Sequence, residues 1–412
     1  MDRLSRWMRI IVLSFALLLG CNNENGPTAS KISPVFPTTA NPYLNAEGPN
    51  VLSVRVGGST LCGQDGNVNQ LCTSLTLCEP GTSRCQVISD VLLDTGSVGL
   101  RVFSSILTLS LVRTINSSGQ IIAECAQFGT GSDWGPLAMA DIRLAGEAPV
   151  TIPIQLIDKS FATPSAECLQ ADTSPQQAGY NGILGVGLFN EDCGALCAID
   201  PSVRAYFGCM GSSCEPIVYL PSLQIQNPVA HLATNNNGLL VALPQVKLGG
   251  VISAEGVVIF GIGTQLNNAP VGVTAYSVDS QGNFVTLLNG KSLDGSFIDS
   301  GSNGLYFLNI LNLPLCSESG PAAGFYCPQS TQAFSAINLS AGGNGQTDVS
   351  FYLSNAERLA AGDSAVFSDL GGVGVGSLIG FDWGLPFFFG RAVFHGIQGK
   401  SSALGQGLYI AY

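Results

Sequence analysis

Charge is scarce in this chain and histidine almost absent. Only 11% of the 412 residues are charged, 16 of them Lys or Arg, and the histidines are two, His231 and His395. The formal net charge of −12 leaves no basic footprint for nucleic acid. So little histidine weakens any reading that needs a His-rich zinc site or a Ser–His–Asp triad. Both histidines read as loop or surface residues. Charge-rich heptads are missing too, and 51 Gly with 21 Pro exclude a coiled coil. Disorder is excluded from the opposite side, because 46% of the residues are apolar. At ~150 residues per domain the length predicts two or three domains.

What is present begins with an export signal. Arg3, Arg6 and Arg9 precede an apolar run from Ile10 to Leu19, broken only by Ser14. That run is shorter than the ~20 residues of a membrane-spanning helix, so residues 1–20 read as a signal peptide. Leu18-Leu19-Gly20-Cys21 resembles the bacterial lipobox, which implies a lipid on Cys21. Asn22 after it favours the outer membrane, with the periplasmic and surface faces both open. The chain holds 13 cysteines; with Cys21 lipidated, the other twelve can form six disulfides in an oxidising compartment. Cys62, Cys72, Cys78 and Cys85 form one quartet and Cys193, Cys197, Cys209 and Cys214 another. Each quartet allows three internal pairings. Neither quartet holds the C-x-x-C pair of a typical zinc site.

Residues 21–49, rich in Asn, Pro, Ser and Thr, read as a flexible tether. From Asn50 onward short β-branched runs alternate with Gly, Asn and Asp turns: 51–56, 87–93, 150–157, 239–243, 256–261 and 284–288. One short helix is expected within 350–360. The pattern predicts an all-β chain of sandwiches or barrels.

A long-range repeat organises that pattern. Val91-Leu92-Leu93-Asp94-Thr95-Gly96-Ser97-Val98-Gly99-Leu100 has a counterpart in Ser296-Phe297-Ile298-Asp299-Ser300-Gly301-Ser302-Asn303-Gly304-Leu305. Each copy is followed by an apolar run ending in Gly: Gly182-Ile183-Leu184-Gly185 after the first, Pro386-Phe387-Phe388-Phe389-Gly390 after the second. Two copies imply two similar lobes, 50–247 and 248–412, about a pseudo-two-fold axis, each sending one Asp into a shared cleft. Gln127-Phe128-Gly129-Thr130-Gly131-Ser132 follows the first copy in the chain.

These motifs together resemble the pepsin-like aspartic peptidases over most of residues 50–412. The resemblance implies a bilobal double β-barrel with Asp94 and Asp299 as the catalytic dyad. It makes residues 127–132 the flap, with Phe128, Gly129 and Thr130 against substrate. Tyr180 to Gly185 would thread beside the first Asp loop, and Val257 to Gly261 would open the second lobe. Phe128 stands where that family usually has Tyr, and Arg101 where it has the Trp that holds the Tyr. A flap gripped less firmly is the expected consequence. Residues 59–84 and 190–220 read as Cys-rich inserts. The lipobox, Asn227-Pro228-Val229 and Asn236-Asn237-Gly238 also look like an uncharacterised bacterial family of secreted or lipid-anchored proteins.

The chemistry can be argued without a family. Two facing carboxyls share a proton, because two charges at ~3 Å are costly. The ionised one can take a proton from water while its neutral partner hydrogen-bonds the substrate carbonyl. Gly96 and Gly301 would permit the tight turns. Ser97 and Ser302 would hold the outer carboxylate oxygens, and Thr95 and Ser300 would lock the loops together. The expected function is a lipid-anchored endopeptidase, a monomer acting on peptide or protein substrates without metal or cofactor. The alternative is a weak or inactive relative that binds a peptide or envelope partner in the same cleft. A glycosidase needs two acids as well, but leaves the repeat unexplained.

Overall fold

The computed structural model describes residues 41–59, 61–63, 67–129, 131–343, 345–374 and 380–412. The signal segment 1–20, Cys21 and Thr130 lie outside them. Strand outweighs helix by 41% to 10%, as β-branched runs cut by Gly and Asn turns dictate. The chain is all-β. Six strands close a barrel: β1 (Leu71–Cys78), β2 (Cys85–Asp94), β3 (Val98–Phe103), β4 (Ser132–Arg143), β5 (Val150–Ile157) and β6 (Gly182–Val186). They run in the order β4, β5, β3, β6, β2, β1, and β1 pairs back onto β4 with Leu77 opposite Ile142. Leu77, Leu93, Val102, Ala140, Ile154 and Leu184, one from each strand, are fully buried in one hydrophobic core. Burying the five larger of these side chains stabilises by about 1.5–3 kcal/mol each.

The barrel continues into a sheet through the strand Val51–Val56, which pairs with β1 on one side and with Ala254–Phe260 on the other. Gly238–Ala242, Ala392–Gly396 and Tyr409–Ala411 follow. Strands from either side of residue 248 therefore share this sheet. A separate seven-stranded sheet holds β7 (Lys291–Ile298), β8 (Leu305–Phe307), β9 (Gly371–Val373) and β10 (Phe381–Trp383) at one end, in the order β7, β10, β8, β9.

Both Asp loops sit in the same strand arrangement. β2 pairs with β6 in parallel, β6 with β3 antiparallel, and β3 with β5 in parallel. β7 likewise pairs with β10 in parallel, β10 with β8 antiparallel, and β8 with β9 in parallel. The strand leaving each Asp loop is thus separated from the one entering it by a strand from far along the chain.

Several sequence expectations are corrected. The companion of the second loop is β10, whose Asp382-Trp383 leads into Gly384, and not Pro386 to Gly390; Leu385–Phe387 instead forms a 3-10 turn with Pro386 as its second residue. Residues 59–84 are no simple insert, because β1 within them closes the barrel. The last part of the expected tether is docked: Asn41 donates to the Arg391 carbonyl and Tyr43 packs edge-on against Phe394. The helix expected within 350–360 is confined to Ala356–Ala360, after a strand over Gln346–Leu353. His395 is buried rather than on the surface.

Cysteine pairing is local within each quartet. The six disulfides are Cys62–Cys72, Cys78–Cys85, Cys125–Cys168, Cys193–Cys197, Cys209–Cys214 and Cys316–Cys327. Among the described residues the grouping with metal-ligand spacing is Cys316, Cys327 and Glu357, but its two sulfurs are joined to each other and supply no thiolate. No helix in the described residues is long and apolar enough to cross a membrane.

Candidate active site

The two Asp loops meet. Thr95 N–H donates to Ser300 Oγ at 3.1 Å, Ser300 N–H donates to Thr95 Oγ1 at 2.9 Å, and Ser300 Oγ donates to the Leu93 carbonyl at 2.8 Å. This reciprocal pair joins residues 205 apart in sequence and is buried, so water does not compete for it.

Each carboxyl is held by its own loop. Gly96 N–H donates to Asp94 Oδ1 at 2.7 Å, and Ser97 Oγ donates to Asp94 Oδ2. Gly301 N–H donates to Asp299 Oδ1 at 2.7 Å, and Ser302 Oγ donates to Asp299 Oδ2 at 2.8 Å. The carboxyls face each other across the glycines. A Cβ placed on Gly96 would lie 2.6 Å from the Asp299 carboxyl carbon, and one on Gly301 would lie 2.6 Å from Asp94 Oδ1. Glycine is needed for this close approach. Neither residue has the left-handed backbone that would demand it on conformational grounds, so the turn argument made from sequence is replaced by a steric one.

Asp94 is buried and Asp299 half-buried. Burial, then the neighbouring carboxyls of Asp94 and Asp382, raise the Asp299 pKa well above the usual carboxylate range. A pair that cannot ionise twice cheaply holds one proton between its members.

Asp382 was not among the residues singled out from sequence. It lies in β10 opposite Phe297, two residues before Asp299, just as Ile183 lies opposite Leu92, two before Asp94. Tyr306 faces it from β8, where Arg101 faces Ile183. Burial pushes the Asp382 pKa up to about 8, with the Ser302 hydroxyl opposing and Asp94 adding to the shift. Its Oδ1 is buried without a hydrogen bond. The available signal was the Asp-Trp-Gly at 382–384, which ends in Gly like Ile183-Leu184-Gly185. An Asp in place of an aliphatic residue hides that match.

The hairpin over residues 127–132 joins the strand Ile121–Gln127 to β4, and its turn is closed by Phe128 N–H donating to the Gly131 carbonyl at 2.8 Å. Gly129 is exposed, while the half-buried Phe128 packs with Tyr180 against Cys62, Cys72, Leu92 and Ile183. The Arg101 guanidinium lies 5.8 Å from the Phe128 ring centre, within cation–π range. Arg101 is itself fixed. It donates to the Val98 carbonyl at 2.8 Å, to Glu124 at 2.5 Å and to Asp192 at 3.2 Å. Burial works against its charge, but Glu124 and Asp192 outweigh that and raise its pKa. Burial, with Glu124 next, raises Asp192, and burial with Asp172 pushes Asp133 up to about 8. One guanidinium therefore meets more acids than it can neutralise, and burial holds Asp133 and Asp192 above the usual carboxylate range.

Among the predicted site residues, Asp94, Thr95, Gly96, Ser97, Asp299, Ser300, Gly301 and Ser302 form one contact network. Phe128 and Gly129 belong to the hairpin built from Ile121–Gln127 and β4. Trp134 and Trp383 are core residues, donating to the Phe161 carbonyl and to Thr286.

No curated protein is similar to this chain. The resemblance to pepsin-like aspartic peptidases is overturned as a family assignment, because the family that matches is a different one of unknown function. Short Asp-Thr/Ser-Gly-Ser turns and a Gly-rich hairpin were too local to carry a family assignment. The match runs over residues 46–412 and is described as "Protein of unknown function (DUF3443)", and the chain belongs to that family.

Proposed function

We propose that the chain is an exported aspartic-type endopeptidase in which Asp94 and Asp299 act as one hydrolytic unit. The observation that carries this reading is the approach of the two carboxyls across Gly96 and Gly301, each held by a serine hydroxyl and a backbone N–H. In this reading the two matching strand sets are halves of a bilobal molecule about a pseudo-two-fold axis, and an extended peptide lies between them under the 127–132 hairpin.

The chemistry follows from the shared proton. The ionised carboxyl takes a proton from a water molecule as its oxygen attacks the peptide carbonyl carbon. The neutral carboxyl donates to the carbonyl oxygen as negative charge develops there. The proton taken from water then goes to the leaving nitrogen, the C–N bond breaks, and the pair returns to one proton. Every donor this needs is on the two loops. Export is supported by the six disulfides, and an anchor at Cys21 would put the domain on the cell envelope, where it would act as a monomer.

The test digests a peptide library with residues 41–412, from about pH 3 to about pH 7, with and without a statine-type analogue of the tetrahedral intermediate. Cleavage that the analogue blocks is the expected result. A folded protein that cleaves nothing yet binds library peptides would overturn hydrolysis and make the cleft a peptide-binding site.

A further inference from the structure

The strands beside each Asp loop have two faces, because side chains alternate along a strand. Beside the first loop, Leu93, Leu100, Val102 and Leu184 enter the hydrophobic core. Leu92 and Ile183 alternate with them and face the other way, where they meet Phe128 of the hairpin. Beside the second loop, Ile298, Leu305, Phe307, Phe381 and Trp383 enter the core, so Phe297, Tyr306 and Asp382 take the other face. Asp382 stands opposite Phe297 as Ile183 stands opposite Leu92. The two halves therefore present different walls next to the joined loops, an apolar one at Ile183 and an acidic one at Asp382.

Asp382 is an acid without a cation. It is 6% exposed, the same as Asp94, and its Oδ1 is buried without a hydrogen bond. Tyr306, across from it in β8, donates its hydroxyl proton to Asn303 instead. Among the described residues the ion pairs leave Asp382 out. Ile183 at the matching position shows that the fold does not require an acid there. A buried carboxyl with an unused oxygen is costly until something pairs with it.

We propose that Asp382 determines specificity by binding a basic side chain, Lys or Arg, on one side of the cleaved bond, while the residue on the other side is apolar and packs against Leu92, Ile183 and Phe128. This rests on the hydrolytic reading above and names its substrate class. Successive side chains of an extended peptide point to opposite sides, so the residues flanking a bond held between the two loops face different halves. An ammonium or guanidinium group beside Asp382 favours its ionised form against burial and satisfies Oδ1 with a charge-assisted hydrogen bond. Norleucine, which keeps the lysine carbon chain without its nitrogen, leaves that oxygen bare.

The experiment measures kcat/KM for the wild type, Asp382→Asn and Asp382→Ile on peptides with Leu-Lys or Lys-Leu at the centre, each matched by one with norleucine in place of lysine. The wild type is expected to prefer lysine in one of the two orders by at least about 30-fold, and both variants to lose that preference. Asn keeps the shape of the side chain, so it answers the question even if Ile disturbs folding. A wild type indifferent to the exchange in both orders, variants that keep its preference, or library cleavage that spares all four peptides overturns the proposal. If the wild type cleaves nothing in the library, the peptidase reading fails and the affinities of the same four peptides decide this proposal. Tighter binding of a lysine peptide than of its norleucine match, lost in Asp382→Asn, supports it; equal binding overturns it.

Discussion

At the scale of single residues, the site depends on what Gly96 and Gly301 lack. Gly96→Ala puts a methyl 2.6 Å from the Asp299 carboxyl carbon, closer than such atoms pack, and one loop must retreat. The expected cost is about 1–3 kcal/mol of stability, with a loss of at least about 100-fold in kcat/KM, since small displacements of reacting groups have that effect. Thermal unfolding beside peptide kinetics checks both; an unchanged kcat/KM would mean that the carboxyls do not act at this separation. Much of the network was legible in sequence, because Asp-Thr-Gly-Ser and Asp-Ser-Gly-Ser are contiguous and their twofold occurrence is visible. Asp382 was not, since its partners come from β7, β8 and the loop over 299–302. Arg101 was legible as an oddity but not as the centre of an ion-pair group, because Glu124 and Asp192 lie 23 and 91 residues from it.

At the scale of elements, the 127–132 hairpin is held from outside. Its first strand, Ile121–Gln127, pairs with Tyr206–Met210, so the disulfide-stapled segment 190–220 buttresses it. The Cys125–Cys168 bridge ties the same strand to the turn over Ala166–Cys168 and closes a loop of 43 residues. Loop-closure entropy makes this bridge worth about 4 kcal/mol. The double variant Cys125→Ser with Cys168→Ser is expected to lose that much in denaturant unfolding, and to raise KM more than it lowers kcat, because the hairpin binds rather than reacts. A larger fall in kcat than rise in KM would contradict that role. Elements were read unevenly from sequence. Val51–Val56, Val150–Ile157 and Phe284–Leu288 carry plain β-branched runs and have the expected bounds. β1 was missed because its Leu-Cys-Thr-Ser-Leu-Thr-Leu-Cys alternation sits among Gly, Asn and Gln. β10 was missed because an acid interrupts it and its pairing is long-range.

At the scale of the molecule, buried titrating groups give stability a pH dependence of two signs. Burial pulls the His395 pKa down to about 4, and neither ring nitrogen has a hydrogen bond. The folded state therefore binds fewer protons than the unfolded one between about pH 6.5 and about pH 4, and stability is lost as pH falls through that window. Asp133 has a raised pKa, so its contribution is full below the unfolded carboxylate value and is lost as pH climbs towards about 8. His395→Leu is expected to gain on the wild type as pH falls, by up to about 3 kcal/mol near pH 4. Asp133→Asn is expected to gain as pH rises instead. Melting temperatures of the three proteins across pH check this, and differences that do not change with pH would contradict it. The all-β class and the meeting of the two Asp loops were legible at this scale through the repeat. The closure of β1 onto β4 and the sheet crossing residue 248 were not, because strand pairing over such distances leaves no local pattern.

The central claim is that Asp94 and Asp299 hydrolyse peptide bonds as a unit. It is tested most directly by kcat/KM on one cleaved peptide for the wild type, Asp94→Asn, Asp299→Asn and the double variant, all shown to be folded. If the pair acts as a unit, each single variant is expected to be as inactive as the double one. Retention of substantial activity by either single variant would contradict the account.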